Sequence, residues 1–146
     1  MDDTLLIEDI KSELINYTGV ELEQPNNNEL LINCNNNSEL GILLRNSHDE
    51  YKLFINEWSK HFGKTSEDRE VIIDLIVSVL IGNARLQEFS KNNYPYKWTL
   101  QLLDSNSNWR IHSTTAILTL NIWTKPQIRY LQNDPSNVKR ISNKTI

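Results

Sequence analysis

The stretch TSEDREVIIDLIVSVLIG, residues 65–82, decides the fold that this chain is expected to adopt. Thr65 and Asp68 form a capping-box-like start, and Gly82 supplies a stop after the last helical turn. Between them almost every position is apolar, which is typical of a helix buried in a core. A helix of about 16 residues is too short to cross a membrane. We therefore predict a central apolar helix on which a sheet packs.

A shorter, amphipathic helix is expected at residues 4–17. Its apolar side chains recur at spacings of three and four, the period of one helical face. They are Leu6, Ile7, Ile10, Leu14 and Tyr17. Gly19 follows as a natural stop, so we predict an N-terminal helix that ends before it.

Between the two helices the sequence predicts short strands separated by turns. Residues 20–24 and 29–34 form a hairpin across an asparagine-rich turn, and residues 39–45 alternate as a further strand. Residues 51–62 fit the period of a helix as well as that of a strand. We predict a strand there, because a turn directly after a strand most often returns the chain as a hairpin partner. The helix remains the open alternative.

After the central helix the pattern predicts a β-meander. Its strands are expected at residues 84–89, 96–102, 109–112 and 116–122. The last of these carries its apolar side chains on the opposite parity, which predicts a β-bulge or bend near residues 113–115. Ile128 and Tyr130 indicate a final edge strand.

Together these elements predict an α+β fold in a single domain over residues 1–132. The N-terminal helix and the central apolar helix pack on a mostly antiparallel sheet of five to eight strands, which includes the C-terminal β-meander. The length of 146 residues suits one domain. Residues 133–146 are polar, and we expect them to form a loose C-terminal tail.

The residue inventory contains no pattern for a metal, a cofactor or a common catalytic motif. A single cysteine, Cys34, cannot form an intramolecular disulfide or a cysteine-based zinc site. His48, His61 and His112 include no pair spaced for a zinc-binding helix, and the four glycines are scattered. We therefore expect no metal and no cofactor, and assign no catalytic residue. No secretory pattern opens the chain and no apolar run reaches about 20 residues, so we expect a cytoplasmic protein without a membrane partner.

Charge is distributed unevenly along the chain. The formal net charge is −4, but residues 1–75 contain 16 acidic and 6 basic side chains, whereas residues 76–146 contain 3 acidic and 9 basic ones. This division predicts a molecule with one acidic and one basic surface, provided that the two halves do not interleave in space.

The meander predicts a sheet face without acidic side chains. With Trp98 and Trp109 pointing inward, that face carries Arg85, Gln87, Lys97, Thr99, Gln101, Arg110, His112 and Thr114. Such a face suits an acidic protein, a phosphate-bearing ligand or nucleic acid. Nucleic acid also requires exposed aromatic rings among the basic residues. The parity sends both tryptophans the other way, which weakens this hypothesis.

The acidic half offers a second candidate surface, suited to a basic partner. Its residues are Glu21, Glu23, Glu29, Asp49 and Glu50. Acidic surfaces accelerate association with basic targets. Our first functional hypothesis is therefore a small, acidic, non-enzymatic protein-binding domain. The concrete class is an inhibitor that neutralises a partner toxin or enzyme, as bacterial immunity proteins do.

Two other functions and one assembly stay open. The first alternative is a module that binds nucleic acid or a phosphate ligand through the basic C-terminal sheet face. It would use Arg85, Lys97 and Arg110 together with the tail residues Lys139, Arg140 and Lys144. The second is a small enzyme with a pocket between helix and sheet, using His112 or Asp74. Residues 127–132 form an exposed edge through which two copies would pair as a homodimer.

Overall fold

Two α-helices and eleven strands make up residues 5–34, 39–118 and 124–141, which are the residues described by the computed structural model. The helices are α1 (Leu5–Leu14) and α2 (Ser66–Leu80), and a 3-10 turn spans Pro135–Asn137. The strands are β1 (Tyr17–Thr18), β2 (Val20–Asn26), β3 (Glu29–Cys34), β4 (Ile42–Asn46), β5 (Tyr51–Ile55), β6 (Trp58–Phe62), β7 (Ala84–Lys91), β8 (Tyr94–Leu103), β9 (Trp109–Ala116), β10 (Gln127–Leu131) and β11 (Lys139–Arg140). The predicted α+β fold is confirmed.

The strands form three antiparallel sheets. A five-stranded sheet has the order β2-β3-β4-β5-β6, a four-stranded sheet has the order β10-β7-β8-β9, and β1 pairs with β11. The sequence predicted one sheet of five to eight strands. The chain instead divides its strands, because α2 separates β6 from β7 and a new sheet starts after it.

Helix α2 follows the predicted start and stop signals. The Thr65 hydroxyl oxygen accepts a hydrogen bond from the Asp68 backbone N–H at 3.1 Å. Gly82 has a φ of +82°, a left-handed conformation that favours glycine. A Cβ there would lie 2.9 Å from the carbonyl oxygen of Asn133. No described helix is both long enough and apolar enough to span a membrane.

The core lies between the helices and the inner faces of the two large sheets. Its fully buried side chains include Leu6, Ile10, Ile32, Leu44, Leu53, Trp58, Ile72, Val79, Leu86 and Leu100. They alternate along each strand with exposed or half-buried residues, as expected for a sheet with one solvated face. Each fully buried leucine or isoleucine contributes about 1.5–3 kcal/mol of transfer free energy.

Residues 51–62 form two strands and no helix. Tyr51, Leu53 and Ile55 alternate into the core on β5, and β6 returns beside it. Asn56 makes the reversal possible, because it adopts a φ of +49° and accepts a hydrogen bond from Gly41 N–H at 2.8 Å. The predicted strand is confirmed, and the alternative helix is excluded.

The C-terminal strands form the predicted meander. β7, β8 and β9 are consecutive neighbours, and β10 returns to the far edge beside β7, which confirms the edge strand predicted at Ile128 and Tyr130. β9 runs unbroken from Trp109 to Ala116. Most of the strand predicted over residues 116–122, namely residues 119–122, lies outside the described part of the chain.

Residues 133–141 pack against the domain, which corrects the prediction of a loose tail for this segment. The buried Asn133 amide accepts from Leu40 N–H at 2.9 Å and donates to Val79 C=O at 3.2 Å. Val138 is buried in the core, and β11 pairs with β1. The polar composition of this segment did not indicate that it packs. The packing depends on two residues, Asn133, which hydrogen-bonds to backbone groups, and Val138, which is buried. Residues 142–146 lie outside the described part.

Candidate binding surfaces

A β-bulge in β9 determines which side chains share a face of the four-stranded sheet. Leu100 pairs with Ser113, whereas the next residue, Gln101, pairs with Ile111, so His112 is the extra residue. The sequence placed this irregularity slightly further along, near residues 113–115. Because the side-chain period of a strand is two, one extra residue exchanges the two faces.

The bulge overturns the predicted orientation of three side chains. Trp109, predicted to point inward, lies on the outer face beside Arg85. Arg110 and His112, predicted on that outer face, lie on the opposite one. The ring of His112 accordingly lies 6.1 Å from the ring of Trp58 in the other sheet.

The outer face of the four-stranded sheet combines aromatic, basic and uncharged polar side chains. We call it the aromatic–basic face. It consists of Arg85, Gln87, Phe89, Lys97, Thr99, Gln101, Trp109, Ile111, Thr114, Ile128 and Tyr130. No acidic side chain belongs to this set.

Arg85 is the centre of the aromatic–basic face. Its guanidinium carbon lies 4.2 Å from the ring centroid of Trp109 and 4.2 Å from that of Tyr130. Its Nε donates to Gln101 Oε1 at 2.7 Å. Gln87 Nε2 in turn donates to the Tyr130 hydroxyl at 3.2 Å. This network holds a cation between two aromatic rings on an open sheet.

The remainder of the face repeats the same chemistry with a lysine. Lys97 Nζ lies 4.1 Å from the ring centroid of Phe89. The hydroxyl oxygens of Thr99 and Thr114 are 2.9 Å apart and share a hydrogen bond. Ile111 is 69% exposed, which is unusual for a large apolar side chain and marks the face as a candidate for ligand contact.

Glu88, the acidic residue of these strands, points to the other side of the sheet and is neutralised there. It is 3% exposed, and its carboxylate accepts from Trp98 Nε1 at 2.9 Å and from Arg129 Nε at 2.6 Å. The hydrogen bond that Arg129 donates to Glu88 raises the pKa of Arg129. The positive charge of Arg85 and Lys97 on the outer face is therefore uncompensated by this carboxylate.

The five predicted acidic residues do not form one patch. Glu29 accepts from Asn26 and from Arg45, and these hydrogen bonds lower its pKa. Glu50 lies 2.8 Å from His61 Nδ1, and Asp49 is exposed in the turn before β5. These three residues lie at the end of the five-stranded sheet where the β2–β3 and β4–β5 turns meet. The other two acidic residues lie elsewhere.

Glu21 and Glu23 project from β2, at the edge of the five-stranded sheet. They flank Leu22, and neither carboxylate has a charged or hydrogen-bonding partner among the described residues. Asn33 joins these three residues in lining a shallow depression of about 420 Å³. The structure thus brings together two of the predicted acidic residues on one face of β2, while the Leu22 side chain between them in sequence points to the other face.

An apolar groove lies on the face of β2 opposite these carboxylates, between the end of α1 and the strand. We call it the α1–β2 groove. It has a volume of about 470 Å³ and is lined by Lys11, Leu14, Ile15, Tyr17, Val20 and Leu22. Ile15 is 75% and Leu22 41% exposed, while Lys11 is engaged with Gln24. The sequence missed this groove, because Ile15 falls outside the helical stripe and its exposure depends on how α1 meets β2.

Charge separates by element. The two helices carry seven acidic and two basic side chains, whereas the strands of the four-stranded sheet carry five basic and one acidic. The uneven distribution of charge along the chain is therefore retained in the fold, as acidic helices and a basic four-stranded sheet. The acidic helical residues were not among the predicted binding residues, although their spacing on the helices was visible in the sequence.

The two residues named for an enzymatic alternative are in different settings. Asp74 is exposed on α2. His112 lies at the β6–β9 junction, and its Nε2 is buried without a hydrogen-bond partner among the described residues. No hydrogen bond or ion pair joins the two in this part of the chain. Cys34 is buried, with Sγ 3.8 Å from the Leu80 carbonyl oxygen, and no described group of three or more potential metal ligands is present.

Comparison of this chain with protein-family models, with curated proteins and with solved structures found no match.

Proposed function

We propose that this chain is a non-enzymatic protein-binding domain that engages a basic partner protein through the α1–β2 groove. The observation that carries this proposal is the edge strand β2, which presents exposed Leu22 with Ile15 in the groove on one face and the unpaired carboxylates of Glu21 and Glu23 on the other. Exposed apolar side chains rimmed by charge are typical of protein interaction sites.

The apolar and acidic parts of this surface have different roles in binding. Burial of Ile15 and Leu22 would supply affinity, since removing apolar surface from water is favourable. Glu21 and Glu23 would accelerate encounter with a basic surface, and would favour it over an acidic one. The acidic helices add to the same long-range attraction.

We propose further that the domain acts as an inhibitor of the immunity-protein type. By covering a cationic surface of a toxin or enzyme, it would prevent that protein from binding its own anionic substrate. The cytoplasmic location and a homodimer formed through the edge at residues 127–132 remain predictions.

The test is the association rate with a partner purified from the native host. The partner is first captured on the full chain and identified, and its association is then measured at low and high salt. The double variant Glu21→Gln/Glu23→Gln should slow association several-fold at low salt, with the difference shrinking as salt screens the charges. Glu57→Lys changes the net charge equally, on the turn between β5 and β6, and is the matched control.

Two results would contradict the proposal. An unchanged association rate in the double variant would remove the carboxylates from the interface. Equal slowing by Glu57→Lys would show that net charge, and not the α1–β2 groove, controls encounter. Loss of the captured partner's activity in the complex tests the inhibitor class separately.

A further inference from the structure

The aromatic–basic face meets a structural requirement for nucleic-acid binding. Exposed aromatic rings must lie among basic side chains, and the predicted parity placed Trp109 on the wrong side. The bulge at His112 places Trp109 with Tyr130 on either side of Arg85. We propose that this face binds single-stranded nucleic acid, independently of the α1–β2 groove.

Stacking is the first contribution that this face offers. Bases stack on aromatic rings and on arginine guanidinium planes, without preference for sequence, because every base has a π-face. Arg85 covers one face of the Trp109 ring and one face of the Tyr130 ring, so a base would stack on a ring face turned away from Arg85. Trp109 is half-buried and Tyr130 is 48% exposed. Phe89, which is half-buried, provides a further ring beside Lys97.

Charge is the second contribution. The face has no carboxylate to repel phosphates, and it carries Arg85 and Lys97. Arg110 and Arg129 belong to the same strands but point to the other side, where each is paired with a carboxylate. We therefore expect two phosphate contacts, which predict a slope of about −1.4 for log K against log salt at about −0.7 per phosphate.

The geometry favours a single strand over a duplex. In a duplex the bases are stacked on one another, so their faces are closed to side chains, whereas an open sheet receives unstacked bases. Gln87, Gln101 and Thr114 offer donors and acceptors to base edges across the middle of the face. The exposed Ile111 would also suit a protein partner, an outcome that the experiment separates.

The test is fluorescence anisotropy of the full chain with labelled oligo-uridine and oligo-thymidine. Oligomers of about 12 nucleotides fall within the range of about 4–16 nucleotides that one OB fold covers on a single strand. Binding should weaken between about 50 and 200 mM salt with the slope given above. Comparison of the two oligomers shows whether the ribose 2′-hydroxyl contributes.

The variants are chosen in matched pairs. Lys97→Ala should weaken binding and reduce the salt slope by about 0.7. Lys52→Ala removes a lysine whose Nζ lies 4.9 Å from the centroid of the Phe54 ring on the other large sheet. This control should change neither the affinity for the oligomers nor the salt slope. Trp109→Ala should weaken binding about 5- to 150-fold, the equivalent of one lost stacking contact. If Trp109→Ala alters the circular dichroism spectrum, Trp109→Phe, which retains an aromatic ring, is measured in its place.

Four outcomes would overturn the proposal. The first is no anisotropy change at low salt, and the second is that Lys52→Ala weakens oligomer binding as much as Lys97→Ala does. The third is that a blunt duplex binds more tightly than the single-stranded oligomers. The fourth is that an acidic protein, and not the oligomers, binds to this face. Glu21→Gln/Glu23→Gln should not weaken oligomer binding. Failure of the proposed protein-binding function and failure of this proposal are therefore distinguishable.

Discussion

His112 is a residue whose surroundings differ from those of an ordinary surface histidine. Its Nε2 is buried without a hydrogen-bond partner among the described residues, and its ring lies beside Trp58. Burial, followed by the charge of Lys60, lowers the pKa of His112 below its ordinary value of 6.5. The folded protein therefore favours the neutral imidazole.

We predict that His112 reduces stability as the pH falls below about 6.5, the ordinary histidine pKa. In that range the unfolded chain binds a proton that the folded chain resists, so the free energy of unfolding decreases with decreasing pH. Urea unfolding between about pH 7.5 and 5 measures the decline. His112→Phe should make it shallower, whereas His48→Phe, at an exposed turn, should not. An identical decline in wild type and His112→Phe would refute the prediction.

Strand β2 illustrates, at the scale of an element, how an exposed sheet edge is protected. Glu21 and Glu23 point outward and Pro25 lacks a backbone donor, so the strand is a poor template for pairing with another chain. The same carboxylates are those that the proposed function assigns to a basic partner. Protection of the edge and steering of a partner are compatible uses of one charge pattern.

Helix α2 depends on its cap as well as on its apolar faces. Thr65 accepts the Asp68 backbone N–H, and the Asp68 carboxylate accepts Gly63 N–H at 2.7 Å. These bonds satisfy backbone donors that would otherwise be unpaired at the helix start and just before it. Because α2 packs on both β6 and β7, weakening of its first turn should destabilise the packing of both large sheets.

We predict that Thr65→Ala lowers the free energy of unfolding by about 1 kcal/mol, within the range of about 0.5–2 kcal/mol for loss of a cap. Thr65→Ser should retain most of the stability, because serine keeps the accepting oxygen. Ser66→Ala, at the exposed first helical position, is the control and should change stability by less than about 0.5 kcal/mol. Equal effects of the two alanine variants in urea unfolding would show that the cap contributes nothing.

At the scale of the whole molecule, one threonine helps to join the two large sheets. Thr115 Oγ1 accepts from Ser59 N–H and donates to Ser59 C=O, both at 3.1 Å. Trp58 Nε1 adds a hydrogen bond to Ser113 Oγ at 3.2 Å. Side chains of β9 thus take the place of a strand partner for β6.

We predict that Thr115→Val destabilises the protein by about 1–3 kcal/mol, because valine has nearly the same shape but leaves the Ser59 backbone groups without these partners. Thr114→Val is the matched control on the neighbouring position. Among the described residues its hydroxyl bonds to Thr99 alone, on the outer face, so the decrease in the free energy of unfolding should be smaller. Chemical denaturation measures the free energy of unfolding of both variants. A larger decrease in Thr114→Val than in Thr115→Val would contradict the prediction.

Local patterns predicted most of the elements of this molecule. The caps and apolar faces of α2, the alternation of β5 and the turn residues before the meander strands act over a few residues, where backbone sterics and burial period dominate. For the candidate surfaces, the same alternation placed Arg85, Lys97 and Gln101 together correctly. Glu21 and Glu23 likewise follow from the period of β2.

The sequence by itself determined the α+β class, the two helices and the antiparallel strands, because each depends on short-range periodicity. Only the tertiary structure decided that Trp109 faces Arg85, that Asn133 and Val138 dock the polar C-terminal segment, and that Glu29 is neutralised by Arg45. A one-residue bulge exchanges the faces of a strand, and such a shift is settled by pairing with β8 rather than by local composition. Partners distant in sequence decide which charges remain available to a ligand.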